Sequence, residues 1–189
     1  MKIFYVAVAL PMILLRSCGE LPANADKIVQ AEIETVDTTE QQTPPVLTGI
    51  QQRKTLEAAP YDEWFRLNYE EAEPDAVVVD SIKPLLKGIK FKLFMGTWCA
   101  DSKREVPYFF KVLDMTDYDQ MDIEIITMTH DKTTPENFEK DLNITNVPTI
   151  IFYRNGKEIN RIVEYPINTM EEDMLDILSG REYHNAYDW

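Results

Sequence analysis

The side chain best suited to chemistry is the thiol of Cys99, which lies in the run Gly96-Thr97-Trp98-Cys99-Ala100-Asp101-Ser102-Lys103. This run follows an apolar segment that predicts a strand, and it precedes an amphipathic segment that predicts a helix. The thiolate is the nucleophilic form of cysteine, and the unpaired N–H groups and the dipole at a helix N-terminus favour it. Ser102 lies one turn later on the same helix face, where it is placed to donate a hydrogen bond to the sulfur. The sequence therefore predicts nucleophilic thiol chemistry at Cys99, assisted by Ser102.

Other reactive groups are scarce. Cys18 is the only other cysteine, and His130 and His184 are the only histidines. Residues this few, at these spacings, match no zinc cluster and provide no disulfide framework, so we predict a site without metal or cofactor. The net charge of −14, from 19 basic and 33 acidic residues, argues against nucleic acid as a partner, because phosphates require a basic surface.

The N-terminal residues have the pattern of a secretory signal. Lys2 provides a positive charge, and residues 3–15 are mostly apolar but fewer than the roughly 20 that span a bilayer. The run Leu15-Arg16-Ser17-Cys18 resembles the lipobox of bacterial lipoproteins, although Arg16 stands where that family has a small residue. The resemblance implies a signal peptide over residues 1–17 and lipidation at Cys18. The protein would then be anchored in the bacterial cell envelope, facing the periplasm or the outside; a simple secreted signal peptide is the alternative.

The chain after the signal divides into a tether and a folded domain. Residues 18–59 are rich in threonine, glutamine and proline and lack a periodic apolar pattern, which predicts a flexible tether. The pattern allows a short strand around residues 46–50 but does not require one. From residue 60 the pattern becomes helical, with aromatic residues at helical spacing and a second helical segment over 75–87. The predicted domain therefore spans residues 60–189.

The remaining pattern predicts alternating strands and helices. Asn155-Gly156 lies between two alternating apolar runs, which is the strongest short signal for a hairpin. Thr134 followed by Pro135 is typical of the start of a helix. The predicted elements are strands over 89–95, 122–129, 149–153 and 157–163 and helices over 100–115, 135–142 and 169–178. The order βαβαββα predicts an α/β sandwich, in which a central mixed sheet is flanked by helices and preceded by an N-terminal helical addition.

Several motifs resemble the thioredoxin superfamily. The turn from Trp98 to Ser102 resembles its Trp-Cys-x-x-Cys active site with serine in the second cysteine position, and Pro107 resembles the proline that kinks the active-site helix. Val147-Pro148-Thr149, before a strand that ends in the Asn-Gly hairpin, resembles the cis-proline loop. The resemblance implies a thioredoxin-like fold with a cis Val147–Pro148 bond beside Cys99. It also implies that Trp98, Val147 and Pro148 bind substrate, with the Val147 backbone pairing to an extended peptide.

Two departures from this family limit the predicted reaction. Ser102 replaces the resolving cysteine, and Leu93 stands where thioredoxins commonly carry a buried aspartate. An intramolecular dithiol mechanism is therefore excluded. We predict one-thiol exchange, in which Cys99 attacks a protein or low-molecular-weight disulfide and an external or substrate thiol resolves the mixed disulfide. The alternatives are a non-catalytic interaction module and a single-thiol oxidant sensor that stops at sulfenic acid.

Overall fold

The apolar segments of the domain assemble into one five-stranded sheet. A computed structural model describes residues 44–188, so the predicted signal peptide, Cys18 and most of the tether lie outside the described residues. The strands are β1 (Gly49–Gln51), β2 (Ile89–Met95), β3 (Ile123–Thr127), β4 (Thr149–Arg154) and β5 (Lys157–Val163). Their spatial order is β1-β3-β2-β4-β5, in which β2 and β3 are parallel and the other neighbours are antiparallel.

Within residues 44–188, five α-helices accompany this sheet. They are α1 (Arg53–Leu56), α2 (Asp62–Glu71), α3 (Ala76–Ile82), α4 (Ala100–Met115) and α5 (Met170–Ser179). The predicted α/β architecture with a mixed central sheet is therefore confirmed. The second helix of the N-terminal addition is shorter than predicted, because α3 tightens into a 3₁₀ turn over Lys83–Leu86, where Pro84 lacks the N–H that an α-helix needs. No helix among residues 44–188 is long and apolar enough to cross a membrane.

The two faces of the sheet are covered differently. Odd-numbered residues of β2, among them Phe91 and Leu93, face the main core and pack with aromatic residues of α4 such as Phe109. Phe94 and Ile126 face the other side, where side chains of the β3–β4 connection cover them: Phe138, Leu142 and Ile144. This strict alternation follows from the two-residue period of a strand. The second face therefore depends on a loop, rather than a helix, for its cover.

The predicted helix over 135–142 is wrong. The chain there forms separate turns, closed by bonds such as Asn137 N–H to the Thr134 carbonyl at 3.1 Å and Leu142 N–H to the Glu139 carbonyl at 3.0 Å. Asn137 and Asp141 have φ values of 56° and 63°, in the left-handed region that ends a right-handed helix. The Glu139 carboxylate also accepts hydrogen bonds from the backbone and hydroxyl of Thr134, at 3.2 and 2.6 Å, which closes a local loop.

The folded chain begins before the predicted boundary at residue 60. Strand β1 pairs antiparallel with β3, with Ile50 opposite Ile126, and α1 follows it directly. Leu56 of α1 is fully buried in the main core. The sequence predicts a tether here because only one of the three β1 residues is buried, so the segment has almost no periodic apolar pattern. Residues 49–56 therefore belong to the fold and not to the tether.

Candidate active site around Cys99

Cys99 is the residue at which strand β2 turns into helix α4. It caps the helix with extended backbone geometry (φ −84°, ψ 127°), its N–H donates to the Gly96 carbonyl at 3.0 Å, and its carbonyl accepts from Lys103 N–H at 3.1 Å. The partly exposed side chain points at the β3–β4 connection, and its S–H donates to the Val147 carbonyl at 3.1 Å. The Val147–Pro148 bond is cis. The structure thus brings Cys99 and the predicted proline loop into direct contact.

Ser102 hydrogen-bonds to the backbone rather than to the thiol, contrary to the prediction that it donates to the sulfur. Its side chain is completely buried, and its Oγ accepts a hydrogen bond from the Gly96 N–H at 3.1 Å. The reason is geometric. The turn from Gly96 to Cys99 brings the Gly96 N–H over the first turn of α4, and without Ser102 this N–H would lack a buried acceptor. Ser102 therefore fixes the loop that presents Cys99.

Trp98 is held from three sides. Its Nε1–H donates to the Met128 carbonyl at 2.9 Å, and its ring stacks on His130 with centroids 4.3 Å apart. On another side the indole approaches Gly96 so closely that a Cβ there would lie 2.6 Å from Cε2. The predicted substrate-binding residue Trp98 is therefore a rigid wall beside Cys99.

The charged side chains at the start of α4 pair with one another. Arg104 contacts Asp101 at 2.8 Å and Glu105 at 2.6 Å. Burial raises the pKa of Glu105, and the hydrogen bond and charge of Arg104 oppose this rise. Arg104 is thus engaged by two carboxylates, and the backbone N–H groups of the helix end direct positive potential towards the thiol.

Leu93 is fully buried in the position where thioredoxins commonly carry an aspartate. It pairs with Ile125 of β3 and Ile150 of β4, so its surroundings are entirely apolar. With serine at position 102 and leucine at position 93, Cys99 is the one thiol of the turn. Among residues 44–188, no group of three cysteine, histidine or acidic side chains is arranged to hold a metal ion.

Sequence reasoning leaves four residues out of the site. His130 lies in the loop after β3, and only its stacking on Trp98 in the folded chain connects it with Cys99. Asn146 directly precedes Val147, Glu164 lies 18 residues after Asn146, and their side chains hydrogen-bond at 3.2 Å. No local pattern marks such long-range partners. Gly96, the fourth, had a usable signal, because a glycine directly after a strand often marks a close backbone approach.

Comparison with known proteins agrees with this geometry. A family model described as Thioredoxin matches residues 50–177. The match covers more than half of the chain, so the chain belongs to the thioredoxin family. Membership supports a redox function of the thiol–disulfide type at the level of this class.

Similarity to individual proteins is weak. A crystal structure of a protein of unknown function from Pseudomonas aeruginosa resembles the chain with a TM-score of 0.51 at 11 % sequence identity. The aligned part covers 65 % of this chain and 86 % of that one. At this identity the likeness concerns the fold alone. No curated protein matches the chain.

Proposed function

We propose that this protein catalyses thiol–disulfide exchange with Cys99 as a single thiol, in mixed-disulfide or isomerase-type chemistry rather than dithiol reduction. The observation that carries the proposal is the position of the Cys99 sulfur. It lies at the N-terminus of α4, partly exposed and 3.1 Å from the Val147 carbonyl of the cis-proline loop. The side chain one turn later is a buried serine hydroxyl that bonds to the backbone, so nothing in the turn can resolve a disulfide.

The reaction proceeds in two exchanges. The Cys99 S–H loses its proton, and the thiolate attacks one sulfur of a disulfide R–S–S–R′. A new bond joins Cys99 to R–S, the old S–S bond breaks, and R′–S⁻ leaves and takes up a proton from water. A second thiolate R″–S⁻, from the substrate or from an external thiol, then attacks the R sulfur and releases Cys99. The net change is R–S–S–R′ + R″–SH → R–S–S–R″ + R′–SH, so the protein ends in its starting state.

The surrounding residues supply position rather than further reactive groups. The helix end stabilises negative charge on sulfur during attack and departure. Trp98 gives the site a rigid wall, and the Val147 and Pro148 backbone offers an edge with which an extended peptide can pair, as family resemblance suggests.

The test is turnover. The full chain carrying Cys18→Ala, so that Cys99 is the only thiol, is mixed with a peptide disulfide and reduced glutathione, and the exchanged peptide is measured by chromatography. We expect catalysis that scales with protein concentration and is abolished in the additional variant Cys99→Ser. Equal rates for the two proteins would contradict the proposal.

A second candidate is a non-catalytic interaction module that uses the same groove. The observation in its favour is that the Cys99 S–H is already engaged by the Val147 carbonyl. This candidate predicts that a bound peptide is retained equally by Cys99→Ser, whereas an exchange enzyme retains only disulfide substrates through Cys99. An oxidant sensor, the third alternative, would instead yield a sulfenic acid on Cys99 with hydrogen peroxide, detectable by dimedone labelling.

We further propose that the protein is tethered to the cell envelope by a lipid on Cys18. The proposal rests on the signal-like N-terminus and the lipobox-like run before Cys18. Metabolic labelling of producing bacteria with a fatty acid should mark the full chain, and Cys18→Ala should remove the label. Label that persists in Cys18→Ala would contradict lipidation at this residue.

A further inference from the structure

Glu164 holds the proline loop from both sides. It follows the last residue of β5, and its backbone N–H donates to the Pro148 carbonyl at 2.7 Å. Its carboxylate accepts from the Asn146 side-chain amide at 3.2 Å. Val147 lies between these two anchor points, and its carbonyl is the group that receives the Cys99 S–H. One residue therefore brackets the dipeptide that faces the thiol.

The backbone of Glu164 is in an unusual conformation. Its φ of 67° lies in the left-handed region, which favours glycine and is disfavoured for a residue with a long side chain. A glutamate is expected to remain in this conformation only where surrounding bonds hold it there. The bonds to Pro148 and Asn146 are such bonds, and both lead to the site of Cys99.

The C-terminal tail completes the hydrogen bonds between Glu164 and Asn146. The Tyr187 hydroxyl donates to the Glu164 carboxylate and accepts from the Asn146 amide at 3.1 Å. The three side chains thus form a closed ring of hydrogen bonds. The tail itself is anchored by Tyr183, whose hydroxyl donates to the buried Asp173 carboxylate at 2.7 Å.

We propose that Glu164 is a positioning residue for Cys99: supported by Asn146 and Tyr187, it holds the Val147 carbonyl against the thiol and restrains its reactivity. A thiol whose S–H donates to a fixed carbonyl reacts more slowly, because the proton must leave before the sulfur becomes a nucleophile. Loosening Val147 removes a weak hydrogen bond, so we expect Cys99 to be alkylated about two- to fivefold faster. The inference deepens the proposed function and rests on it for its biological meaning.

The decisive variant is Glu164→Gly, made in the full chain with Cys18→Ala. Glycine suits the positive φ but removes the carboxylate, so the thermal midpoint should stay close to that of the parent while Cys99 reacts faster with iodoacetamide. Asp117→Gly is the matched control, because Asp117 is also an acid with positive φ (58°), but it pairs with Lys83 at the far end of α4. Glu164→Gln, which keeps an acceptor oxygen for Asn146, should restore the parental rate.

Tyr187→Phe provides a second route that does not alter the loop itself. It removes only the hydroxyl and should raise the alkylation rate in the same direction, whereas Tyr165→Phe, at an equally exposed tyrosine (44 % for both), should not. Parental rates in both Glu164→Gly and Tyr187→Phe would overturn the inference, as would an equal acceleration in Asp117→Gly. If Glu164→Gly does not fold, Tyr187→Phe decides alone. Alkylation needs no disulfide substrate, so failure of the exchange assay would refute the proposed function without changing this result.

Discussion

Replacing Gly96 with alanine should loosen the turn that carries Cys99. Gly96 does not have a positive φ, so its backbone suits alanine, and the whole effect comes from the added methyl group. That methyl would lie 2.6 Å from Cε2 and 2.8 Å from Nε1 of Trp98. Contacts this short force the indole to move, and movement breaks the bond between Nε1–H and the Met128 carbonyl.

The expected cost follows from three contributions. Overpacking of a tight contact costs about 1–3 kcal/mol. Loss of the Trp98 hydrogen bond adds about 1 kcal/mol. Alanine also reduces the conformational entropy of the unfolded chain, which stabilises the folded state by about 0.4–1 kcal/mol. We therefore expect Gly96→Ala to lower the free energy of unfolding by about 1–4 kcal/mol.

Urea unfolding followed by far-UV circular dichroism measures this difference. The control is the same substitution in a Trp98→Leu background, where the clashing atoms are absent and Gly96→Ala should cost almost nothing. An equal cost in both backgrounds would refute the reasoning, because the penalty would then not arise from the indole.

Three further substitutions test other parts of the structure. Burial alone would raise the pKa of Asp114, but hydrogen bonds from Arg53 and other partners outweigh it and lower this pKa. A lowered carboxyl pKa stabilises the fold above about pH 4 and ceases to do so as the pH falls through the folded-state pKa, so Asp114→Asn should flatten the loss of stability in acid urea titrations. Asp173→Asn should cost about 1–3 kcal/mol in the same assay at pH 7. The fully buried Asp173 carboxylate accepts hydrogen bonds through its oxygens, and the NH₂ group of asparagine would face one of the donors without an acceptor. Ser102→Ala should cost about 1–3 kcal/mol, since it leaves the buried Gly96 N–H without its acceptor.

The parts of the fold that could be predicted are those with a strong local pattern. Strand β2 and helix α4 match their predicted limits because long apolar periodicities define them. The hairpin is also confirmed, since Asn155 and Gly156 both adopt the positive φ that their residue types favour. Helix α5 ends, as predicted, at Gly180 with a φ of 75°.

The parts that could not be predicted depend on distant contacts or on competing local bonds. The segment after Thr134 carries helix-start signals, yet Asn137 takes a left-handed conformation that stops the helix. At the site, the sequence correctly marks Cys99 and the cis-proline loop as neighbours through family resemblance. It does not reveal that Ser102 bonds to Gly96, because helical spacing fixes a face but not the partner of a hydroxyl. The contact between Glu164 and the tail joins residues far apart in sequence and has no local signature.

The central claim is that Cys99 forms a mixed disulfide that no other group among residues 44–188 can resolve. The most direct measurement treats the native Cys18→Ala protein with glutathione disulfide, removes the excess, and follows the protein mass over time without added thiol. We predict one adduct on Cys99 that persists until an external thiol is supplied, and an adduct that is lost spontaneously in the additional variant Ser102→Cys. The account would be contradicted if no adduct formed on the native protein while the urea-unfolded chain reacted.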